Sequence, residues 1–561
     1  MTLLRALVVA VLGLALCAAP AFGHATIVRT SPADTSVLKT APRTVQMRWS
    51  EPVELNKGSV RLLDAAGNEV PGASAKRGSD PATAELTVPS GLKNGTYVVA
   101  WKVTSADSHP VSGAFSFSIG APSAAVTVGA AGPNRFVEAL DAISRGIAFL
   151  GLAFALGGAC VLVLLWPAGP ASRRGRRFVW TGVGMLAGGT LAVLLLQGPY
   201  AGASLGFTLS TRFGQALAIR LVLTGVFAWL VWRALAARAA AAEDSRPAVE
   251  GSPAAAAPGD SPPAAAAPDD SPPAVAPLAA VPRGLLLGAA ACALGLLVTW
   301  TLTDHSRTGV QTWLGVPAAT VHLAAMALWF GGLALLLVGV LRRPDASLAP
   351  VLPRFSALAL ACFVALGVTG VYLAWRQTGA LAALPATDFG KLLLVKSGVV
   401  LAIIAIASIS RRALARRATL RRTVLAEVGL GVVVLGLTAT LVNAEPARVA
   451  YAPPFDVTVP GPQGGTVQLH MEPAKQGSNV VDIYLKAKDG LLIVPPEVTA
   501  RLAPPDGENI GPLPVELGGA EPGHYVATGM TVPYPGRWTL ELAVRTSDID
   551  EDVIRVPVQV R

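Results

Sequence analysis

Residues 146–167 read Gly146-Ile-Ala-Phe-Leu-Gly-Leu-Ala-Phe-Ala-Leu-Gly-Gly-Ala-Cys-Val-Leu-Val-Leu-Leu-Trp-Pro167, with no Asp, Glu, Lys or Arg among them. A helix rises 1.5 Å per residue and needs ~20 residues to cross the apolar layer of a bilayer, so this stretch predicts a membrane-spanning helix. Seven similar runs follow, at 178–198, 214–236, 284–303, 317–341, 355–375, 391–410 and 424–443. The implied fold class is an all-α membrane bundle of eight transmembrane helices, over 137–445. Composition agrees. The 561 residues are 52% hydrophobic and 14% charged, with mean hydropathy +0.53, whereas a soluble domain carries about 25% charged residues.

The connections give an orientation. If residue 24 lies outside, the inner connections and adjoining span ends hold Arg173, Arg174, Arg176 and Arg177, then Arg233, Arg238, Arg246 and Arg283, then Arg342, Arg343 and Arg354. The last of them holds Arg411, Arg412, Arg416, Arg417, Arg421 and Arg422, while the Arg of the outer loops are Arg212, Arg307 and Arg376. Positive charge collects on the cytoplasmic side of membrane proteins. Topology therefore explains the net charge of +10, the lipid bilayer is a partner, and no nucleic-acid partner is implied. The expected location is the plasma membrane, multi-pass, with both flanking regions extracytoplasmic. Residues 239–282, with Gly251-Ser-Pro-Ala-Ala-Ala-Ala-Pro258 and similar repeats, read as a disordered cytoplasmic linker within the bundle.

Two motifs suggest that the bundle is a 4+4 parallel repeat. Thr211-Arg-Phe-Gly-Gln-Ala-Leu-Ala-Ile-Arg220 opens the third span and Thr387-Asp-Phe-Gly-Lys-Leu-Leu-Leu-Val-Lys396 the seventh; Phe154-Ala-Leu-Gly-Gly158 resembles the stretch ending Phe330-Gly-Gly332. Four spans per half keep orientation, so the repeat axis would run along the membrane normal.

The flanks read as strands. Thr44–Trp49, Thr96–Trp101 and Ala114–Ile119 alternate apolar and polar residues within 24–120, as do Val467–Met471, Val480–Leu485 and Trp538–Val544 within 450–561. Each flank predicts an all-β sandwich of Ig-like or Greek-key type. Residues 1–23 read as a signal peptide: Arg5, an apolar run, then Ala21-Phe22-Gly23 as a small-x-small cleavage site. A lipid-modified Cys17 is the competing reading, disfavoured by bulky Leu16 before it.

Cleavage after Gly23 makes His24 the mature N-terminus, which offers one metal ion both an amine and an imidazole nitrogen. Asp107 and His109, in Ser105-Ala-Asp-Ser-His-Pro110, add a carboxylate oxygen and a second imidazole. Nitrogen-rich ligation with one oxygen suits Cu(II), and affinity should fall with pH as protons compete. In the fifth span His322 and Met326 stand at i and i+4, on one helical face. They read either as a route for copper by ligand exchange or as an ordinary bundle histidine with a neighbour. His305, beside Asp304, is a candidate entry residue. Cys160, Cys292 and Cys362 lie in apolar spans and read as small packing residues, with soft copper donors as the lesser alternative. Arg220 and Lys396 read as structural, either balancing a carboxylate such as Glu427 or snorkelling.

The chain resembles a fusion of the CopC and CopD families of bacterial copper proteins. His24-Ala25, Thr30-Ser-Pro-Ala-Asp34, Trp49-Ser-Glu-Pro52 and Asp107-Ser-His-Pro-Val-Ser-Gly113 carry the CopC resemblance; His322 to Leu333, Arg354-Phe-Ser356 with Thr369-Gly370, and Thr387 to Lys396 carry the CopD one. The resemblance implies copper uptake or handling at the plasma membrane, with His24, Asp107 and His109 as copper ligands. It also implies copper chaperones as further partners and leaves Cu(I) open for the membrane domain. Met47 alone cannot form the Met-rich Cu(I) site of some CopC members. Residues 450–561 resemble YtkA-like modules; there His470, Met471 and Met530, and then His524, are weaker copper candidates. The alternatives to import are extracytoplasmic buffering for resistance and a copper-dependent oxidative enzyme. Asp107 in the ligand set opposes the latter by occupying a position that oxygen needs, so no catalytic residues are expected.

Overall fold

A computed structural model describes residues 25, 27–56, 58–105, 110–123, 135–166, 169–201, 204–244, 281–303, 311–341, 351–412, 417–444, 446–505, 511–547 and 549–560. Two compact units divide it. One holds the helices of 135–376 and 392–442; the other holds the β-domains together with 377–391.

The helical unit contains eight helices long and apolar enough to cross a membrane. They are α1 (Arg135–Ala159), α2 (Arg173–Ala201), α3 (Arg212–Asp244), α4 (Arg283–Thr301), α5 (Thr312–Leu335), α6 (Val351–Thr378), α7 (Asp388–Arg412) and α8 (Arg417–Asn443). The expected count holds, but several helices outrun their apolar cores. α1 begins before Asp141 and Arg145, which pair with each other at 2.5 Å. α3 runs to Asp244 through Ala-rich sequence, six residues into the expected linker; Ala has the highest helix propensity. Of the rest of that linker, residues 245–280 lie outside the described residues.

Burial ranks the helices. The apolar windows of α1 and α5 are 67% and 72% buried and those of α6 and α7 only 6%, so α1 and α5 form the centre. Glycines let these two helices touch backbone to backbone. A Cβ on Gly157 of α1 would overlap the Ala327 carbonyl oxygen of α5, and a Cβ on Gly331 of α5 would overlap that of Ala153 on α1. Small residues are the usual means of close helix packing within a bilayer, where water gives no hydrophobic drive between helices. Both central helices continue as π-helix, over Cys160–Leu165 and Leu336–Val340.

The T-x-F-G motifs acquire a physical role. The Thr211 hydroxyl accepts from the Gly214 N–H at 3.1 Å and donates to the Thr208 carbonyl at 2.6 Å; Thr387 does the same with Gly390 at 3.1 Å and Ala383 at 2.8 Å. Each Thr caps a long helix, an interaction typically worth ~1 kcal/mol. Each Gly leaves space for a short preceding helix, Leu205–Ser210 or Ala383–Ala386, since a Cβ on Gly214 or Gly390 would overlap its backbone.

In the N-terminal β-domain one sheet orders Ile27–Ser31, Thr44–Trp49, Thr83–Thr87 and Ser74–Arg77; the other orders Ser36–Leu38, Pro110–Ile119, Gly95–Ser105 and Val53–Glu54, with Val60–Leu63 also paired to Gly95–Ser105. Alternation along Thr44–Trp49 buries Val45, Met47 and Trp49, and these share one core with Val99 and Phe117 of the second sheet. Met47 is thus a packing residue. The C-terminal domain repeats the plan. One sheet orders Phe455–Pro460, Thr466–Glu472, Gly477–Lys486, His524–Val532 and Gly518–Glu521, the other Leu513–Val515, Glu497–Ala503, Gly536–Arg545 and Glu551–Val560. Met471 and Met530 point into its core, whereas His470 faces away from it, as the twofold strand period requires.

On that outer face His470 Nδ1 lies 2.7 Å from an Asp456 carboxylate oxygen. This hydrogen bond raises the imidazole pKa above its ordinary value; slight burial opposes the rise, and the Asp456, Asp482 and Glu472 charges add to it. A raised folded-state pKa stabilises the domain fully below the unfolded-state value near 6.5, and the benefit is lost as pH rises through the folded-state pKa. Asp456→Asn should therefore lower the His470 pKa toward 6.5, read by imidazole NMR, and flatten the loss of stability with rising pH in that window. In the bundle, Gly331→Leu should cost at least the ~1–3 kcal/mol of overpacking and abolish a monodisperse detergent-solubilised peak. Gly184→Ala, whose Cβ meets nothing within 4 Å, should leave that peak intact.

Candidate metal centres

His24, Asp107, His109 and His305 lie outside the described residues, as do Cys17 and the rest of 1–23. What is described is the framework that carries the first three. Ala25, the residue after His24, is only 3% exposed and belongs to the N-terminal core with Trp49, Val103 and Val111. Asp107 and His109 connect two strands of that same core, which pair from Thr104 with Pro110 to Gly95 with Ile119. The stem is firm: Ser105 and Val111 are buried, and Trp101 crosses Gly113 so closely that a Cβ there would stand 2.6 Å from the indole.

Within the bundle the structure brings His322 to Thr369. His322 Nδ1 lies 2.9 Å from the Thr369 hydroxyl, and that hydroxyl donates its own proton to the Ala365 carbonyl at 2.5 Å. Thr369 has one proton to give, so toward His322 it must accept. Nδ1 of the neutral ring is then the protonated nitrogen, and Nε2 keeps its lone pair for a metal. Gly370 makes room for the ring, since a Cβ there would stand 3.3 Å from His322 Cε1. The sequence flagged Thr369-Gly370 as a motif without revealing this work. Met326 follows one turn along α5, part-buried against the core cluster.

The basic residues diverge. Arg220 is 3% exposed, donates to the Thr299 hydroxyl and carbonyl, each at 3.0 Å, and lies 4.0 Å over the Trp300 ring. These contacts make it a structural tie between α3 and α4. Lys396 lies in α7. Among the described residues neither Arg220 nor Lys396 pairs with Glu427, one of the two roles expected for them. Glu427 accepts a hydrogen bond from Ser410 at 2.5 Å, and Ser410 is 14 residues beyond Lys396 on α7, about 21 Å along a helix. Proximity in apolar sequence said nothing about depth. In the C-terminal domain His524 bonds Asp482 at 2.8 Å and stacks on Tyr484 at 4.2 Å. Among the described residues no three His, Cys, Asp or Glu converge on a metal position.

Residues 27–120 match the CopC domain and residues 349–441 match Copper resistance protein D. The chain is 26% identical over 479 residues to Copper transport protein CutJ of Bacillus subtilis, a match covering 84% of this chain and 83% of that protein. It is 33% identical over 110 residues to Copper resistance protein C of Xanthomonas campestris pv. juglandis, covering 18% of this chain and 86% of that protein. The crystal structure of CopC from Methylosinus trichosporium OB3b is 32% identical, at a TM-score of 0.16, and the match covers 18% of this chain and 95% of that one. The chain belongs to the copper resistance protein C family through its N-terminal domain, joined in one polypeptide to a helical segment of the copper resistance protein D family.

Proposed function

We propose that this multi-pass membrane protein imports copper: Cu(II) is captured outside by His24, Asp107 and His109 and handed to the helical bundle, which carries it toward the cytoplasm through His322 and Met326. The observation carrying this reading is the joining of a CopC domain to copper resistance protein D helices in one chain, an organisation aligned along most of its length with Copper transport protein CutJ. A capture domain tethered to a membrane bundle raises the effective concentration of cargo at the bundle. No catalytic step belongs to this reading. His305 serves as an entry residue, and copper chaperones supply or receive the ion.

The orientation follows from the Arg clusters between alternate spans, which put both β-domains outside. The bundle is a parallel 4+4 repeat. The reciprocal contacts of Gly157 with Ala327 and Gly331 with Ala153, together with the equivalent caps at Thr211 and Thr387, support it. In that repeat Arg220 and Lys396 are counterparts, the first tied to Thr299 and Trp300. The β-domains are Ig-like sandwiches, the C-terminal one YtkA-like.

The test is Cu(II) titration of the mature chain, followed by electron paramagnetic resonance, with a native His24 terminus and with one Gly added before it. One ion should bind per chain with several nitrogen couplings, and the extension should weaken binding by about tenfold or more, roughly 1.4 kcal/mol. Equal binding by both forms would remove the terminal amine from the ligand set and overturn the capture step.

A further inference from the structure

The outer face of the five-stranded sheet in the C-terminal domain carries ionisable side chains that the route through the bundle leaves unused. Strand pairing sets Asp456 of Phe455–Pro460 opposite His470 of Thr466–Glu472, and His470 opposite Asp482 of Gly477–Lys486. Glu472 stands two residues beyond His470 on one strand, and therefore on the same face, while Leu469, Met471 and Ile483 turn the other way into the core. The side chains of His470, Asp456 and Glu472 are 37%, 72% and 66% exposed, so an ion reaches them directly from water.

The His470 imidazole is held at one nitrogen and open at the other. Its Nδ1 lies 2.7 Å from an Asp456 carboxylate oxygen; an ionised carboxylate only accepts, so Nδ1 donates. In the neutral ring Nε2 then holds a lone pair, and a Glu472 carboxylate oxygen lies 3.8 Å from it. Two acceptors have nothing to bond through unless a proton or a cation lies between them. Their separation is too long for a hydrogen bond, yet close to the sum of two metal–ligand bonds, which for zinc are ~2.0–2.1 Å to imidazole and ~2.0–2.2 Å to carboxylate. A histidine whose second nitrogen donates to a carboxylate is also the usual form of a metal ligand, because the carboxylate fixes the tautomer and makes the ring more basic.

His524 is arranged differently. It bonds Asp482 and stacks on Tyr484, and its strand is two places from that of His470 in sheet order, roughly 10 Å across the sheet. It belongs to a separate pair. The position at His470 thus has two protein ligands, with water for the rest.

We propose that His470 Nε2 and the Glu472 carboxylate bind a divalent ion, Cu(II), on the outer face of the C-terminal domain, with Asp456 as the positioning residue. Imidazole with oxygen donors suits Cu(II), and copper heads the divalent affinity order. With two protein ligands the site is weaker than the one proposed at His24, and it fills second, holding exchangeable copper when supply exceeds what the first site takes. The ion arrives and leaves as Cu(II). Any proton on Nε2 goes to water, and no electron moves. The choice of ion rests on reading copper as the cargo.

The test uses the full mature chain in detergent, titrated with Cu(II) beyond the one tightly held ion and followed by electron paramagnetic resonance. A second, weaker equivalent should appear with a single nitrogen coupling. His470→Gln should abolish it and leave the first unchanged. Glu472→Gln should weaken it by at least about tenfold, and Asp456→Asn by about ten- to a hundredfold with the nitrogen coupling retained, the range for loss of a supporting carboxylate. Asp456→Glu should restore most of that loss, and His524→Gln should leave the equivalent as it was. Absence of a single-nitrogen equivalent in the unaltered chain, or one that survives His470→Gln, overturns the proposal. The unaltered chain gives its answer whether or not the variants fold. Adding Gly before His24 acts on the first equivalent alone, so failure of the capture step and failure of this site are told apart.

Discussion

The backbone contact between α1 and α5 governs the helical unit. Gly157 and Gly331 bring carbonyl oxygens of one helix to the bare Cα atoms of the other, and any side chain at either position would have to displace backbone. Around that contact α2 packs on α1 through Gly182 and Gly189, and the aromatic layer of Phe154, Trp329, Phe330 and Phe363 closes over it. Because α5 is held this tightly, the groups it bears sit at defined depths. His322 and Met326 inherit their spacing from a helix whose backbone is held against α1.

The polar groups of the bundle are arranged by the same economy. A buried polar atom without a partner is costly in an apolar surround, and most here are spoken for locally: Arg220 by Thr299, Glu427 by Ser410, Cys292 by Leu223. His322 is held at one end only. Thr369 fixes one ring nitrogen and leaves the other basic. On the N-terminal domain Ala25 is buried in the core.

Much of this could be read before any coordinates, and the exceptions have physical causes. Eight spans were legible because apolar length is a one-dimensional property; their ends were not, because Asp141 and Arg145 are charged yet helical and satisfy each other. The strand Thr44–Trp49 matched to the residue, its alternation being a direct image of one buried face. The T-x-F-G and Thr369-Gly370 motifs were visible as patterns, but their work as caps and as a histidine support depends on neighbours that no spacing rule identifies. Glu427 was misplaced as a counter-charge because sequence gives no depth. Of the candidate ligands, His322 and Met326 can be followed into the fold, whereas His24, Asp107, His109 and His305 lie outside the described residues.

The central claim is that copper passes through the bundle by way of His322. Proteoliposomes loaded with a luminal copper chelator, and containing the full chain or its His322→Ala variant, would decide it by the rate at which external copper accumulates inside. The account predicts accumulation by the unaltered chain and a fall to the rate of empty liposomes in the variant, with copper still bound at the outer domain. Equal accumulation by both, or binding with no accumulation by either, would contradict it.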